Sequence, residues 1–205
     1  MIPYRIETER LVLRCWSPTD APLLSRAIEE SMEHLRPWMP WIAGEPKTLE
    51  DRAAFIRSMR AKYDTDEDYV LGVFDRAETR VLGGTGLHRR IGPRAFEIGY
   101  WIHANCTRLG YASELSAALT QVGFLAHDCL RMEIHCDPKN VASAGVPKKL
   151  GYSLDGILRG RLVQSDGTLR DTMVWSMLRA DLQASAAARV KTRAFDILGR
   201  EIALG

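Results

Sequence analysis

The chain has 205 residues, 46% hydrophobic and 26% charged, an ordinary globular balance with enough length for one well-buried core. Its net charge of +2, with no stripe of Lys or Arg, argues against nucleic acid as a partner. Cys15, Cys106, Cys129 and Cys136 lack paired or zinc-finger spacing, and no apolar run suits a signal peptide or a membrane span, so a cytoplasmic protein without disulfide framework, metal or membrane contact is expected.

Residues 5 to 16 read as a first strand, with Leu11 and Leu13 on one face and Arg10, Val12 and Arg14 on the other. Ser17-Pro18-Thr19-Asp20 starts a helix: proline suits its first turn and the acid its positive end. Between Ser31 and Lys47, three prolines and a glycine predict a long connection. Its Trp38, Met39 and Trp41 are large and apolar for a loop, and they either cap the core or wall a pocket. Thr48-Leu49-Glu50-Asp51 opens another helix, carried on by Ala53, Ala54, Phe55, Ile56 and Met59.

Strands follow at Tyr69 to Phe74 and Arg80 to Arg89, separated by the charged turn Asp75 to Glu78. Gly83, Gly84 and Gly86 interrupt the second of these, which predicts a bulge or a close backbone approach and does not match a dinucleotide fingerprint. Gly92-Pro93 turns the chain into the next strand, where Phe96, Ile98, Tyr100 and Ile102 alternate with Glu97, Gly99, Trp101 and His103. These three strands form an antiparallel meander. A polar loop then reaches Gly110, beyond which Leu115, Ala118, Leu119, Val122 and Leu125 recur at helical spacing. A helix start presents unpaired N–H groups and partial positive charge, so it can seat a pyrophosphate, with Arg108 as an added cation. An ordinary strand-to-helix turn fits the same spacing.

Arg131 to Cys136 alternates as a strand, and strand, helix and strand imply a right-handed parallel crossover. Asn140 caps a short helix, which Pro147 should shorten or bend and Gly151 should close. Tyr152 to Val163 and Thr168 to Leu178 flank Gln164 to Gly167 as a hairpin. The last segment, 181–205, is rich in Ala and Arg and reads as a helix, a dimerisation arm or a tail. The pattern is one mixed α/β domain.

Several motifs in correct order carry a resemblance. Thr107-Arg108-Leu109-Gly110-Tyr111-Ala112 resembles the R/Q-x-x-G-x-G/A acyl-CoA loop of the GCN5-related N-acetyltransferases (GNAT), with Thr107 where the pattern has Arg or Gln. Asn140 to Ser143 and Val146 to Tyr152 are similar to a segment of the subfamily that acetylates ribosomal-protein N-termini, the RimJ/RimL type; Thr8 to Arg14 and Leu35 to Trp41 are similar to its opening strand and first helix connection. The resemblance covers roughly residues 5 to 180 and implies a 1–180 acetyltransferase domain with a 181–205 extension. It also implies a mixed, mostly antiparallel sheet of about seven strands, about four helices, and two parallel central strands that splay around the acyl arm.

The implied activity is transfer of acetyl from acetyl-CoA to a primary amine, a peptide α-amine or a small amine, by direct attack. No serine or cysteine nucleophile with a supporting histidine can be identified, and no metal is implied. Such chemistry needs a base, and partial burial raises a carboxylate towards neutrality. Glu97 is the first candidate, sharing a face with Gly99 and Trp101; a structural ion pair is its bland alternative, and His88 and His103 compete by type. The resemblance implies Ser143 as donor to the leaving thiolate. For the coenzyme it implies the backbone of Trp101 and Ile102, the loop Arg108, Leu109, Gly110, Tyr111, Ala112 and Ser113, and Asn140 and Lys149. Trp38, Met39, Trp41 and His88 are expected on the acceptor side. Expected partners are therefore acetyl-CoA and an amine acceptor, with a homodimer as an assembly option and an acyl-CoA-binding module without catalysis as the second function class.

Overall fold

The computed structural model describes residues 2–164 and 166–204. The segment read as one first strand is instead a hairpin: β1 (Arg5–Glu7) and β2 (Leu11–Cys15) pair antiparallel, with Arg5 opposite Arg14. Thr8 makes the reversal. Its amide donates to the Leu11 carbonyl at 3.0 Å and its hydroxyl accepts from the Leu11 amide at 3.1 Å, a local option that competes with a continuous strand.

The helix expected after Ser17 is α1 (Ala21–Glu29), entered through a turn at Pro18–Asp20. The 31–47 connection holds a single-turn helix, α2 (Met32–Leu35), and a 3-10 turn at Pro40–Gly44. Then α3 (Leu49–Asp64) begins with the Thr48 hydroxyl accepting from the Asp51 amide at 3.1 Å. The meander follows as β3 (Tyr69–Asp75), β4 (Val81–His88) and β5 (Ala95–Ile102), antiparallel throughout. Its register slips between Val73 and Phe74, opposite Gly83 and Val81. At Gly83 a side chain has no room, since a Cβ there would lie 2.2 Å from the Trp101 carbonyl oxygen.

Next, α4 (Tyr111–Leu125) crosses to β6 (Arg131–Cys136), which lies parallel to β5. The helix is buried on every side from Glu114 to Phe124, not on one stripe. After α5 (Val141–Leu150), β7 (Ser153–Val163) and β8 (Leu169–Leu178) form the hairpin, whose turn includes Ser165, outside the described residues.

Among the described residues the sheet has ten strands, more than the seven or so expected, in the order β10-β9-β1-β2-β3-β4-β5-β6-β8-β7. Division of the first strand adds one. The others are β9 (Arg193–Phe195) and β10 (Glu201–Ile202), from the segment read as helix or tail. That segment makes 3-10 turns at Arg179–Ala184 and Ala187–Arg189, then pairs along the open edge of β1. Small side chains let it lie close to α4: Ala187 and Ala194 are fully buried, and Gln121 Nε2 donates to the carbonyls of Ala187 and Val190 at 2.8 and 2.7 Å. One core surrounds α4 on one face of the sheet; a second lies under α1 and α3 on the other. No described helix is long and apolar enough to cross a membrane.

Candidate active site

The β5–β6 ladder is short. Its last pair is Glu97 opposite Glu133, yet β5 continues to Ile102 and β6 to Cys136. Past that pair the parallel strands part, so the backbone of β5 through Trp101 and Ile102 has no ladder partner on its β6 side. Both strands end at this opening, and α4 and α5 start there, each presenting unpaired N–H groups and partial positive charge.

At the start of α4, Gly110 is the N-cap with φ +83°, and Arg108 also lies in the left-handed region at φ +61°. Arg10 fixes this loop, its guanidinium donating to the Leu109 carbonyl at 2.8 Å and to Glu114 Oε2 at 2.6 Å. Glu114 Oε1 in turn accepts the Thr8 hydroxyl at 2.6 Å and the Arg10 amide at 3.0 Å. The loop that opens the helix is thereby tied to the β1–β2 turn. Leu109 and Arg108 are exposed, while Tyr111, Ala112 and Ser113 are half-buried behind them.

At α5, Asn140 Oδ1 accepts from the Ser143 amide at 3.1 Å, the N-cap read from the sequence. Pro147 has no N–H to give the Ser143 carbonyl four residues back. The Tyr100 hydroxyl takes that carbonyl at 3.3 Å and lies 3.0 Å from Ser143 Oγ, joining β5 to α5 beside the opening. Burial pushes the Tyr100 phenol well up, so it stays protonated as a hydrogen-bond partner for Ser143. Lys149 is exposed on the same helix.

On the opposite face of β5, glycines make the floor. A Cβ at Gly84 would sit 2.5 Å from the Trp101 indole nitrogen, and one at Gly99 would sit 2.9 Å from His88 Nε2. Trp101 and His88 therefore lie flat over the sheet. Trp41 packs edge-on against Trp101 with ring centroids 6.2 Å apart. Trp38 and Met39 line a cavity of about 200 Å³ shared with Gln164 and Arg170 of the hairpin, and Arg170 donates to the Trp38 carbonyl at 3.1 Å.

Glu97 is not the free carboxylate a base requires. Arg90 holds both its oxygens, at 2.6 and 2.5 Å, and His135 Nδ1 stands 3.4 Å away. Burial alone pulls its pKa up, as the sequence reading supposed, but the Arg90 hydrogen bonds and the charges of His135, Arg90 and His88 outweigh it and leave the pKa lowered. A depressed carboxyl stabilises the fold above its unfolded pKa, and that contribution is lost as pH falls through the lower, folded value. Glu97→Gln should therefore flatten the loss of stability on acidification below about pH 4.5, measured by urea melts at stepped pH; an unchanged slope would refute the pairing.

His103 has both nitrogens engaged, Nδ1 accepting the Asn105 amide at 3.1 Å and Nε2 against Glu30 at 3.0 Å, and its side chain is buried away from a reacting centre. Among the described residues no group of three His, Cys, Asp or Glu side chains is placed to hold a metal ion.

The sequence profile of the acetyltransferase (GNAT) domain matches residues 10–153. The chain belongs to the GNAT acetyltransferase family. An uncharacterized N-acetyltransferase of Bacillus subtilis, YnaD, is 29% identical over 75% of this chain and 85% of its own length. RimJ of Mycobacterium smegmatis, solved in complex with CoA-disulfide, is 25% identical with a TM-score of 0.76, covering 91% of this chain and 93% of that one. Ribosomal-protein-S5-alanine acetyltransferase of Vibrio fischeri has the same fold at 21% identity, with a TM-score of 0.74 over 87% and 98%. As a GNAT enzyme the chain uses acetyl-CoA as acyl donor, and the parted strands and the two helix starts fit an extended, anionic coenzyme. The structure brings Ser143, Asn140, Trp101, Ile102 and the 108–113 loop to one end of the sheet, and places His88, Trp38, Met39 and Trp41 about the opposite face. Sequence reasoning missed Arg10, Arg90 and Tyr100 as site residues. Only Arg90 had a local signal, since it and Glu97 flank the Gly92-Pro93 turn.

Proposed function

We propose that the protein transfers acetyl from acetyl-CoA to the α-amine of a peptide. The observation that carries this reading is the two-sided site: an opening between β5 and β6 at the starts of α4 and α5, and a separate cleft walled by the 31–47 connection and the β7–β8 hairpin. Acetyl-CoA would run from the α4 start, its pyrophosphate on the N–H groups behind Gly110, with Arg108 and Lys149 as surface cations and Asn140 beside the pantetheine arm. Ser143, bonded to Tyr100, would steady the leaving thiolate by hydrogen bonding. The acceptor would enter between Trp41, Trp38 and Arg170, and the names of the RimJ-like neighbours favour a peptide there.

Trp38→Ala should raise the acceptor KM about tenfold, roughly 1.4 kcal/mol of lost contact, with coenzyme affinity nearly intact. Steady-state kinetics with each substrate varied, beside a melting curve, reads this; a lowered Tm with unchanged acceptor dependence would make the loop structural. A second reading, a CoA-binding module without turnover, draws on the Arg90–Glu97 pair, which removes the carboxylate base. Turnover of acetyl-CoA against a panel of short peptides and small amines separates the two and ranks the acceptors.

A further inference from the structure

Resting on the acetyl-transfer reading, we propose that His88 is the catalytic base that deprotonates the acceptor amine and that Asp68 positions it. With Glu97 held by Arg90 and His103 committed on both nitrogens, the remaining histidines differ sharply in surroundings. His127 is packed between Tyr69 and Phe96, and burial drives its pKa down to about 4. His135 is bonded through Nε2 to Glu133 at 2.6 Å. His34 lies exposed on α2. His88 alone combines a carboxylate on one nitrogen with a second nitrogen over the acceptor face.

Asp68 Oδ1 and Oδ2 stand 2.8 and 3.1 Å from His88 Nδ1. An ionised carboxylate only accepts, so Nδ1 carries the proton and the neutral ring keeps its lone pair on Nε2. Among the described residues Nε2 has no hydrogen-bond partner. It lies over Gly99, where a Cβ would be 2.9 Å away, and over Gly86, where one would be 3.1 Å away. The two glycines thus let the ring fold inward along the sheet rather than stand off it. Gly99 precedes Tyr100, whose hydroxyl reaches Ser143 on the other face of the same strand. Proton removal and thiolate stabilisation are consequently placed on opposite faces of β5, beside the opening where the strands part.

The protons balance as follows. An acceptor arriving as its ammonium gives one proton to Nε2, and the imidazolium is held by Asp68 until water takes that proton. The freed nitrogen lone pair forms the N–C bond while the C–S bond breaks and its electron pair stays on sulfur. The second proton leaves the new amide nitrogen and reaches the thiolate by way of the Ser143 hydroxyl. No oxidant or further reactant enters.

The test measures kcat/KM for a peptide acceptor from acid to neutral pH in wild type, His88→Gln, Asp68→Asn and Gly99→Ala, with CoA affinity and Tm for each. The charged groups beside the imidazole are Asp68 from the α3–β3 loop and, opposite His88 in the ladder, Glu97 of β5, which Arg90 holds. His88→Gln should lose about 100-fold or more in kcat/KM and lose the acidic limb, with CoA affinity unchanged. Asp68→Asn should lose about tenfold in kcat/KM with CoA affinity unchanged, because Nδ1 loses the carboxylate that orients the ring. Gly99→Ala should lower the rate with the imidazole still present, by displacing the ring. A nitrogen-15 correlation spectrum of the free protein should show His88 protonated at Nδ1 when neutral. A neutral His88 protonated at Nε2, or a His88→Gln enzyme with the wild-type rate and limb, overturns the assignment alone. Absence of turnover in wild type overturns the acetyl-transfer reading and the assignment with it.

Discussion

Gly110→Asp should abolish CoA binding over the range in which wild type saturates, at least a 100-fold loss by calorimetry. The backbone at Gly110 has φ +83°, a conformation that aspartate and asparagine tolerate better than other residues with a Cβ. The helix is therefore retained and the effect falls on the ligand. A carboxylate about 5 Å from a pyrophosphate charge costs roughly 3 kcal/mol at an effective dielectric near 20, more than a hundredfold in affinity. Gly110→Asn supplies the same shape without charge and should keep most of the affinity. If both variants lose binding equally, strain or bulk is responsible; if neither does, the pyrophosphate sits elsewhere.

The features legible beforehand are those with local causes. The alternation in β5, the helical spacing after Gly110, the Asn140 cap and the Gly151 close each depend on residues within one turn or strand, and each element formed there. The β1–β2 reversal was missed because strand alternation continues through it, and the decisive bond is donated by the Leu11 amide to the Thr8 hydroxyl three residues back. The addition of β9 to β1 joins residues nearly the length of the chain apart, which no window of sequence reports. Site electrostatics were the least legible part. Burial of Glu97 was inferred correctly in kind, but the Arg90 hydrogen bonds and the charges of His135, Arg90 and His88 outweigh it, and His88 and His135 come from the strands on either side. Arg10 reaches Glu114 across 104 positions, and Asp68 reaches His88 across 20; both pairs join a loop to an element distant in sequence, which only the folded chain brings together.

Arg52→Met should be the most destabilising substitution near the acceptor cleft. Arg52 is 1% exposed, and its guanidinium donates to Glu45 Oε2 at 2.5 Å and to the Ser25 hydroxyl at 3.3 Å. The pair ties α1, α3 and the end of the 31–47 connection together away from water, and Glu45 Oε1 has no further partner among the described residues. Removing the cation strands a buried carboxylate, a loss of about 3–5 kcal/mol in a fold whose whole stability is on the order of 5–15. At about 2–4 °C per kcal/mol for a chain of this size, Tm should fall by roughly 6–20 °C. The double variant Glu45→Leu with Arg52→Met should recover much of that loss, since an apolar pair of similar volume removes the stranded charge. A single variant melting like wild type would show that the pair carries no stability. The recovered double variant then isolates the functional part: Glu45 follows Trp38 and Trp41 on the same connection, so without the clamp its acceptor KM is expected to remain raised while CoA affinity is normal.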